Sequence, residues 1–160
     1  MEMQMSDHGR GLLTQWEGFE TKVYDDGVGV MTIGVGHALT PDEKKLGTLA
    51  IGGSQVSYAH GLTQDQVQSL LATDLHTYES ALNTSIGVPL KQNQFDALLA
   101  FCFNIGINGF HGSSALKDLN NHAFDEVPDD LRKWNKAGGV FSQGLANRRE
   151  NEIKLWLGQI

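Results

Sequence analysis

Cysteine and proline are both scarce in this chain of 160 residues, which has one cysteine and three prolines. The single Cys102 cannot form a disulfide within the chain, and its neighbours Phe101 and Phe103 predict a buried, inert thiol. Long apolar runs are also missing. Neither a membrane-spanning helix, which needs about 20 apolar residues, nor the hydrophobic region of a secretory signal is visible. We therefore expect no stable membrane insertion and a location in the cytoplasm where the chain is made.

Basic residues are in the minority: 12 lysines and arginines stand against 19 aspartates and glutamates, so the formal net charge is -7. Proteins that bind nucleic acids usually carry a basic surface, and this balance argues against a DNA or RNA partner. Attraction to an anionic polymer would need a local basic patch, for which Arg148 and Arg149 are the candidates near a helix end.

Motifs for metal, nucleotide and serine chemistry are absent as well. None of the six histidines belongs to an HExxH pair or to a close ligand spacing, which argues against a zinc enzyme; they are His8, His37, His60, His76, His111 and His122. No GxSxG elbow is present, and the glycines between positions 27 and 36 form neither a dinucleotide-binding nor a phosphate-binding loop. We expect neither a metal nor a cofactor.

What the sequence does contain is a mainly helical pattern with a short β region, typical of a single α+β domain over residues 1–160. The nearly all-apolar stretch Gln92–Asn104 predicts a buried central helix. Residues 41–62 are predicted to be irregular and partly mobile. Further helices are predicted at Asp7–Glu17, from Thr63 with Gln66 as a capping box, and at Ser114–Asn120, Asp129–Trp134 and Gln143–Leu157, and strands at Lys22–Tyr24 and Met31–Val35.

Alternation along the second strand predicts two different faces. Met31, Ile33 and Val35 would share a face that packs on a core. Thr32 would share the other with Gly34 and Gly36, leaving it nearly bare, so that a ligand could approach its backbone.

Two carboxyl groups on either side of the first strand suggest acid–base chemistry. Glu17 falls at a helix C-terminus, where the partial negative charge favours the protonated form that a general acid needs. Asp26 lies in a polar turn where backbone donors can keep it ionised. A protonated and an ionised carboxyl together are the logic of glycoside hydrolysis. Each carboxylate also has an ordinary interpretation, as a solvated surface residue and a turn residue.

The run from Glu17 to His37, EGFETKVYDDGVGVMTIGVGH, closely resembles the signature of the phage-type lysozymes, glycoside hydrolase family 24. Weaker similarity continues at positions 103–110 and in the GLxNRRxxE-like pattern at positions 144–152. The register against Thr32 favours Asp26 over its neighbour Asp25, and the glycine after Glu17 favours Glu17 over Glu20.

The resemblance implies a lysozyme-like fold with a small β lobe, about residues 18–60, and a larger helical lobe around the central helix, with a cleft for several sugars between them. The implied reaction is hydrolysis of the β-1,4 bond between N-acetylmuramic acid and N-acetylglucosamine in peptidoglycan. Glu17 would be the general acid, Asp26 would stabilise positive charge and help to place the nucleophile, and Thr32 would orient water or substrate. The carboxyl separation that distinguishes inversion from retention is left open.

Supporting roles follow from the same resemblance. His37 would pair with an acid on the helix after Thr63, for which Asp74 is the candidate. Arg148 would interact with Glu17 or with an anionic substrate group. Tyr24 would pack beside the turn, and Gly34 and Asn104 would support or contact the substrate.

The implied biology is that of an endolysin that stays in the host cytoplasm, as a monomer, until a holin opens the membrane. Two other interpretations remain open: a lysozyme-like protein that binds peptidoglycan without cutting it, and a related glycosidase that acts on chitin-like polymers.

Overall fold

The computed structural model describes residues 2–160 and divides into two compact units. The mixed unit comprises Gly11–Thr77, and the helical unit comprises the chain up to Arg10 together with Tyr78–Ile160. That the two units form one catalytic domain stays a prediction. The α+β class and its helical majority are as the sequence predicts.

The mixed unit holds both sheets that precede the long third helix. A three-stranded antiparallel sheet has the order β1-β2-β3, and β4 and β5 form a hairpin. The elements are α1 (Asp7–Glu17), β1 (Glu20–Asp25), β2 (Met31–Gly34), β3 (His37–Ala38), α2 (Pro41–Leu46), β4 (Thr48–Ile51), β5 (Ser54–Ser57) and α3 (Gln64–Ser85). The boundaries between the units fall within α1 and α3.

The helical unit is organised around α4, whose residues Phe95–Phe103 are all buried. This burial confirms the central helix predicted from the sequence. A helix that is apolar nearly all round is stable only in the interior of a protein. The elements are α4 (Gln92–Ile105), α5 (Ile107–His111), α6 (Ser114–Asn120), α7 (Val127–Arg132), the two-stranded hairpin of β6 (Lys136–Ala137) and β7 (Val140–Phe141), and α8 (Gln143–Trp156). Burial raises the pKa of the Cys102 thiol to about 12, as expected for an inert cysteine.

Most of the stretch predicted to be irregular, residues 41–57 of 41–62, is instead regular, and the partial mobility expected there stays a prediction. Thr40 and Glu43 form a reciprocal capping box around Pro41, which starts α2, and the glycine pair at 52 and 53 turns β4 into β5. The prediction of irregular structure was wrong because Thr-Pro-x-Glu is a helix-start signal that acts despite the polar composition of the stretch. The equivalent box at Thr63 and Gln66, which starts α3, is present as predicted.

The predicted open glycine face of β2 is also wrong. Gly34 is buried, and a β-carbon at this position would contact Leu70 and Val67 of α3 at 3.5 Å. Met31, predicted to be in the core, is 37% exposed, whereas Thr32 on the supposedly bare face is only 4% exposed. Ile33 and Val35 are buried as predicted, and α3 approaches the strand at Gly34, where a φ of 70° interrupts the alternation. Among residues 2–160, no helix combines the length and apolar character needed to cross a membrane.

We predict opposite effects of Gly9→Ala and Gly11→Ala on stability, although both positions lie in α1. A β-carbon on Gly9 would lie 2.6 Å from Cγ of the buried Asp96, which accepts from the Ser6 N–H and hydroxyl at the start of this helix. Gly9→Ala should cost about 1–3 kcal/mol. Nothing lies within 4 Å of a β-carbon on Gly11, so Gly11→Ala should stabilise by about 0.5–1 kcal/mol.

Urea denaturation of the two variants and the wild type measures both effects, and Gly11→Ala is the matched control for helix propensity. Equal shifts of the unfolding midpoint in the same direction would contradict the close approach at Gly9.

Candidate active site

Glu17 is the last residue of α1, and its position is set by the glycine that follows. Gly18 has a φ of 88°, and its N–H donates to the Thr14 carbonyl at 2.8 Å. This left-handed conformation ends the helix and redirects the chain into β1. Glu17 is half-buried at the helix terminus, whereas Glu20, the alternative acid, is exposed at the first position of β1.

Asp26 is held by the backbone of the turn between β1 and β2. Its Oδ1 accepts from the N–H groups of Val28 at 3.0 Å and Val30 at 3.1 Å. Its own N–H donates to the Val30 carbonyl at 3.0 Å. Two backbone donors on one carboxylate oxygen fix the side-chain rotamer.

The neighbouring Asp25 makes a parallel set of bonds. Its Oδ1 accepts from the N–H groups of Gly27 at 2.8 Å and Gly29 at 3.0 Å. Both aspartates therefore build the same turn, and hydrogen bonding alone does not separate a catalytic role from a structural one.

Thr32 differs from both because it lies inside the sheet, paired with Tyr24 across β1 and β2. Its hydroxyl donates to the Val30 carbonyl at 3.1 Å, the same oxygen that accepts from the Asp26 N–H. Thr32 and Asp26 are thereby tied to one peptide group. Since the hydroxyl proton is used, the Thr32 oxygen is available as an acceptor.

Tyr24 lies in the electrostatic field of this group of carboxylates. Burial raises the pKa of its phenol, and the charges of Glu17, Glu20 and Asp26 raise it further. Because the phenol interacts electrostatically with all three carboxylates, the end of α1 and the β1–β2 turn both lie near Tyr24. Tyr24 thus stays a neutral hydroxyl beside the turn, where the sequence places it.

His37 lies between two carboxylates. Its Nδ1 is 2.7 Å from Asp74 Oδ2, the partner that the family resemblance implies, and its Nε2 is 3.0 Å from Glu43 Oε1. Burial by itself would lower the pKa of the imidazole, but the hydrogen bonds and charges of Asp74 and then Glu43 outweigh it and raise the pKa to about 9. Glu43 was missed from the sequence, although its capping position six residues after His37 was the available signal.

The two site residues predicted in the helical unit are held within that unit. Arg148 is buried; its Nε donates to Glu152 at 3.0 Å and its Nη2 donates to the Ala100 carbonyl at 3.0 Å. Asn104, at the end of α4, accepts from Arg149 at 2.7 Å. The expected interaction of Arg148 with Glu17 joins residues of different units and stays a prediction.

The described part of the chain contains no set of side chains arranged as metal ligands. No group of three or more histidine, cysteine, aspartate or glutamate side chains among residues 2–160 is placed to hold a metal ion.

Comparison with known proteins gives a consistent result. Residues 14–152 match the phage lysozyme family. The chain is 38% identical to the endolysin of Salmonella phage P22 over 97% of its own length and 99% of that protein. It is 34% identical to the endolysin of Bacillus phage PZA, where it spans 96% of its own length but 55% of the longer relative. The solved endolysin of Escherichia coli O157:H7 phage FAHEc1 superposes with a TM-score of 0.80 at 33% identity, covering 100% and 98% of the two chains.

We predict that Asp74→Asn destabilises the protein at neutral and mildly acidic pH but not at high pH. The folded-state pKa of His37, about 9, lies above its ordinary value of 6.5. The stabilisation is therefore complete below about pH 6.5 and is lost as the pH rises through about 9. The free energy of unfolding of the wild type should exceed that of Asp74→Asn by about 1–2 kcal/mol near pH 6.

Urea denaturation near pH 6, 8 and 10 measures this difference. Asp65→Asn, which removes an exposed acid from the first turn of the same helix, is the control and should show no such trend. A difference between wild type and Asp74→Asn that stays constant with pH contradicts the charged His37.

Proposed function

Because this chain belongs to the phage lysozyme family and is therefore a glycoside hydrolase of the lysozyme type, we propose that it is a muramidase. It hydrolyses the β-1,4 bond between N-acetylmuramic acid and N-acetylglucosamine in bacterial peptidoglycan and so lyses the host cell. Glu17 is the general acid, and Asp26 and Thr32 act on the side of the attacking water. The observation that carries this assignment is the shared attachment of Asp26 and Thr32 to Val30.

Glu17 supplies the proton of the first step. Its carboxyl protonates the glycosidic oxygen as the bond from that oxygen to the anomeric carbon breaks, and the leaving sugar departs as a neutral alcohol.

Asp26 and Thr32 act on the sugar ring as it becomes positively charged and on the water that attacks it. The ionised Asp26 stabilises positive charge on the sugar ring. Its Oδ1 is committed to Val28 and Val30, so the other oxygen is the one that takes a proton from water. The Thr32 hydroxyl donates a hydrogen bond to the Val30 carbonyl, so the Thr32 oxygen accepts a hydrogen bond from the second hydrogen of that water and leaves a water lone pair for the anomeric carbon.

The wider setting belongs to the same proposal. The relatives are named endolysins, which supports action on the bacterial cell wall. Accumulation in the host cytoplasm, release to the wall through a holin and action as a monomer complete the proposal. No cofactor takes part in the chemistry as written, since every proton is accounted for by the two carboxyl groups and water.

We predict that Glu17→Gln lowers the rate of turbidity clearing of outer-membrane-stripped Gram-negative cells by about 10²–10⁴-fold, because glutamine cannot donate the proton. Glu20→Gln is the matched control three residues away and should stay within about twofold of the wild type. Circular dichroism confirms that both variants fold. If Glu20→Gln loses clearing and Glu17→Gln retains it, Glu20 and not Glu17 is the general acid.

We predict that Asp26→Asn lowers the clearing rate by about 100-fold or more, whereas Asp25→Asn retains most of it. An amide oxygen can still accept both backbone N–H bonds at either position, so the two variants perturb the turn equally. Each variant removes one negative charge, and they differ only in whether that charge is at position 26 or at position 25. Equal losses of activity in the two variants would show that the turn, and not the charge of Asp26, is what the reaction needs.

A further inference from the structure

A pocket of about 480 Å³ opens on the side of the sheet that the proposed chemistry does not use. Tyr24 pairs with Thr32, and Thr32 pairs with Ala38. Successive residues of a strand point to opposite faces. Met31, which lines the pocket, therefore faces away from the Thr32 side of β2. The register of β1 is irregular between Glu20 and Tyr24, and there both Lys22 and Val23 line the same pocket.

The walls of this pocket are apolar, and its charged residues are all of one sign. The apolar part of the wall is formed by Val23, Met31, Leu39, Tyr58 and Ala59. Lys22 and Lys44 are the charged lining residues. The volume falls within the range of about 300–1,000 Å³ that is typical of small-molecule sites.

The two lysines have no anionic partner in the described part of the chain. Among residues 2–160, neither Lys22 nor Lys44 forms an ion pair, although acidic residues outnumber basic ones by 19 to 12. In so acidic a chain, two unneutralised cations beside one apolar pocket create a local potential that attracts anions against the net charge of the molecule.

The pocket is also preformed. The Tyr58 hydroxyl donates to the Glu43 carbonyl at 2.8 Å, which attaches this wall to α2. The Leu62 N–H donates to the Thr21 carbonyl at 2.7 Å, which attaches the loop after β5 to β1. Gly61 permits that approach, since a β-carbon there would lie 3.1 Å from the Thr21 carbonyl oxygen. A rigid pocket loses little conformational entropy when a ligand enters.

We propose that this pocket binds an anionic amphiphile: an aliphatic chain lies against Met31 and its apolar neighbours, and a carboxylate or phosphate head lies between Lys22 and Lys44. A free fatty acid and an anionic phospholipid share this chemistry. The site is independent of the carboxyl groups assigned to glycan hydrolysis.

The test is a titration of the full-length protein, labelled with ¹³C at the methionine methyl groups, with decanoate below its micelle concentration. Saturable shifts of the Met31 methyl signal are expected with decanoate and with decyl phosphate. Decanol should bind about tenfold more weakly, since it lacks the charge, and decyltrimethylammonium should not bind. Absence of a saturable shift, or equal binding of decanoate and decyltrimethylammonium, overturns the proposal.

Two variants locate the head group and the chain. Lys22→Gln with Lys44→Gln should weaken decanoate binding about tenfold while leaving decanol binding unchanged. Met31→Glu should abolish binding of both ligands. Lys45→Gln, next to Lys44 but outside the pocket, is the matched control, and an effect of Lys45→Gln equal to that of the double variant contradicts the assigned site.

Vesicles distinguish the two sources of the ligand. Sedimentation with phosphatidylglycerol vesicles but not with phosphatidylcholine vesicles, lost in the Lys22/Lys44 double variant, assigns the site to membrane lipid. Decanoate binding without vesicle binding assigns it to a free acid, and failure of both removes the site altogether.

Discussion

The backbone of Val30 is the point on which the arrangement of the candidate active site depends. Its N–H donates to Asp26 Oδ1, and its carbonyl accepts from both the Asp26 N–H and the Thr32 hydroxyl. The two adjacent peptide groups that meet at Val30 thus set where the Asp26 carboxylate lies, which way the Thr32 hydroxyl points, and how β1 passes into β2. A shift of Val30 would move the carboxylate and the hydroxyl together, so the pair keeps its geometry as long as the turn is intact.

The strands that carry this turn are fixed on their other side by longer-range contacts. Gly34, whose φ of 70° favours glycine, lies where Leu70 and Val67 of α3 approach β2. His37, on β3, joins α2 to α3 through its two carboxylate partners. Pairing of β1 with β2 then gives two faces with different chemistry, one with the tyrosine and the threonine, the other apolar with a cationic edge. The hydrolytic groups and the additional pocket therefore depend on the same strand register.

Local signals in the sequence predicted the elements that local physics controls. Gly18 predicted the end of α1, and the Thr63 capping box predicted the start of α3. Contacts between distant segments were not predictable in this way. Nothing near Gly34 in the sequence indicates that α3 covers it, so the predicted open face was wrong. The His37–Asp74 pair was accessible only through resemblance to a family, because 37 positions separate the two residues.

The measurement that tests the central claim most directly is mass spectrometry of the soluble products released from purified peptidoglycan in H₂¹⁸O. The account assigns a water molecule, placed by Asp26 and Thr32, as the group that ends on the anomeric carbon. It predicts products with a reducing N-acetylmuramic acid end that carries one ¹⁸O atom. Products that end in a 1,6-anhydro ring without label, or fragments cut in the peptide with the glycan intact, would contradict it.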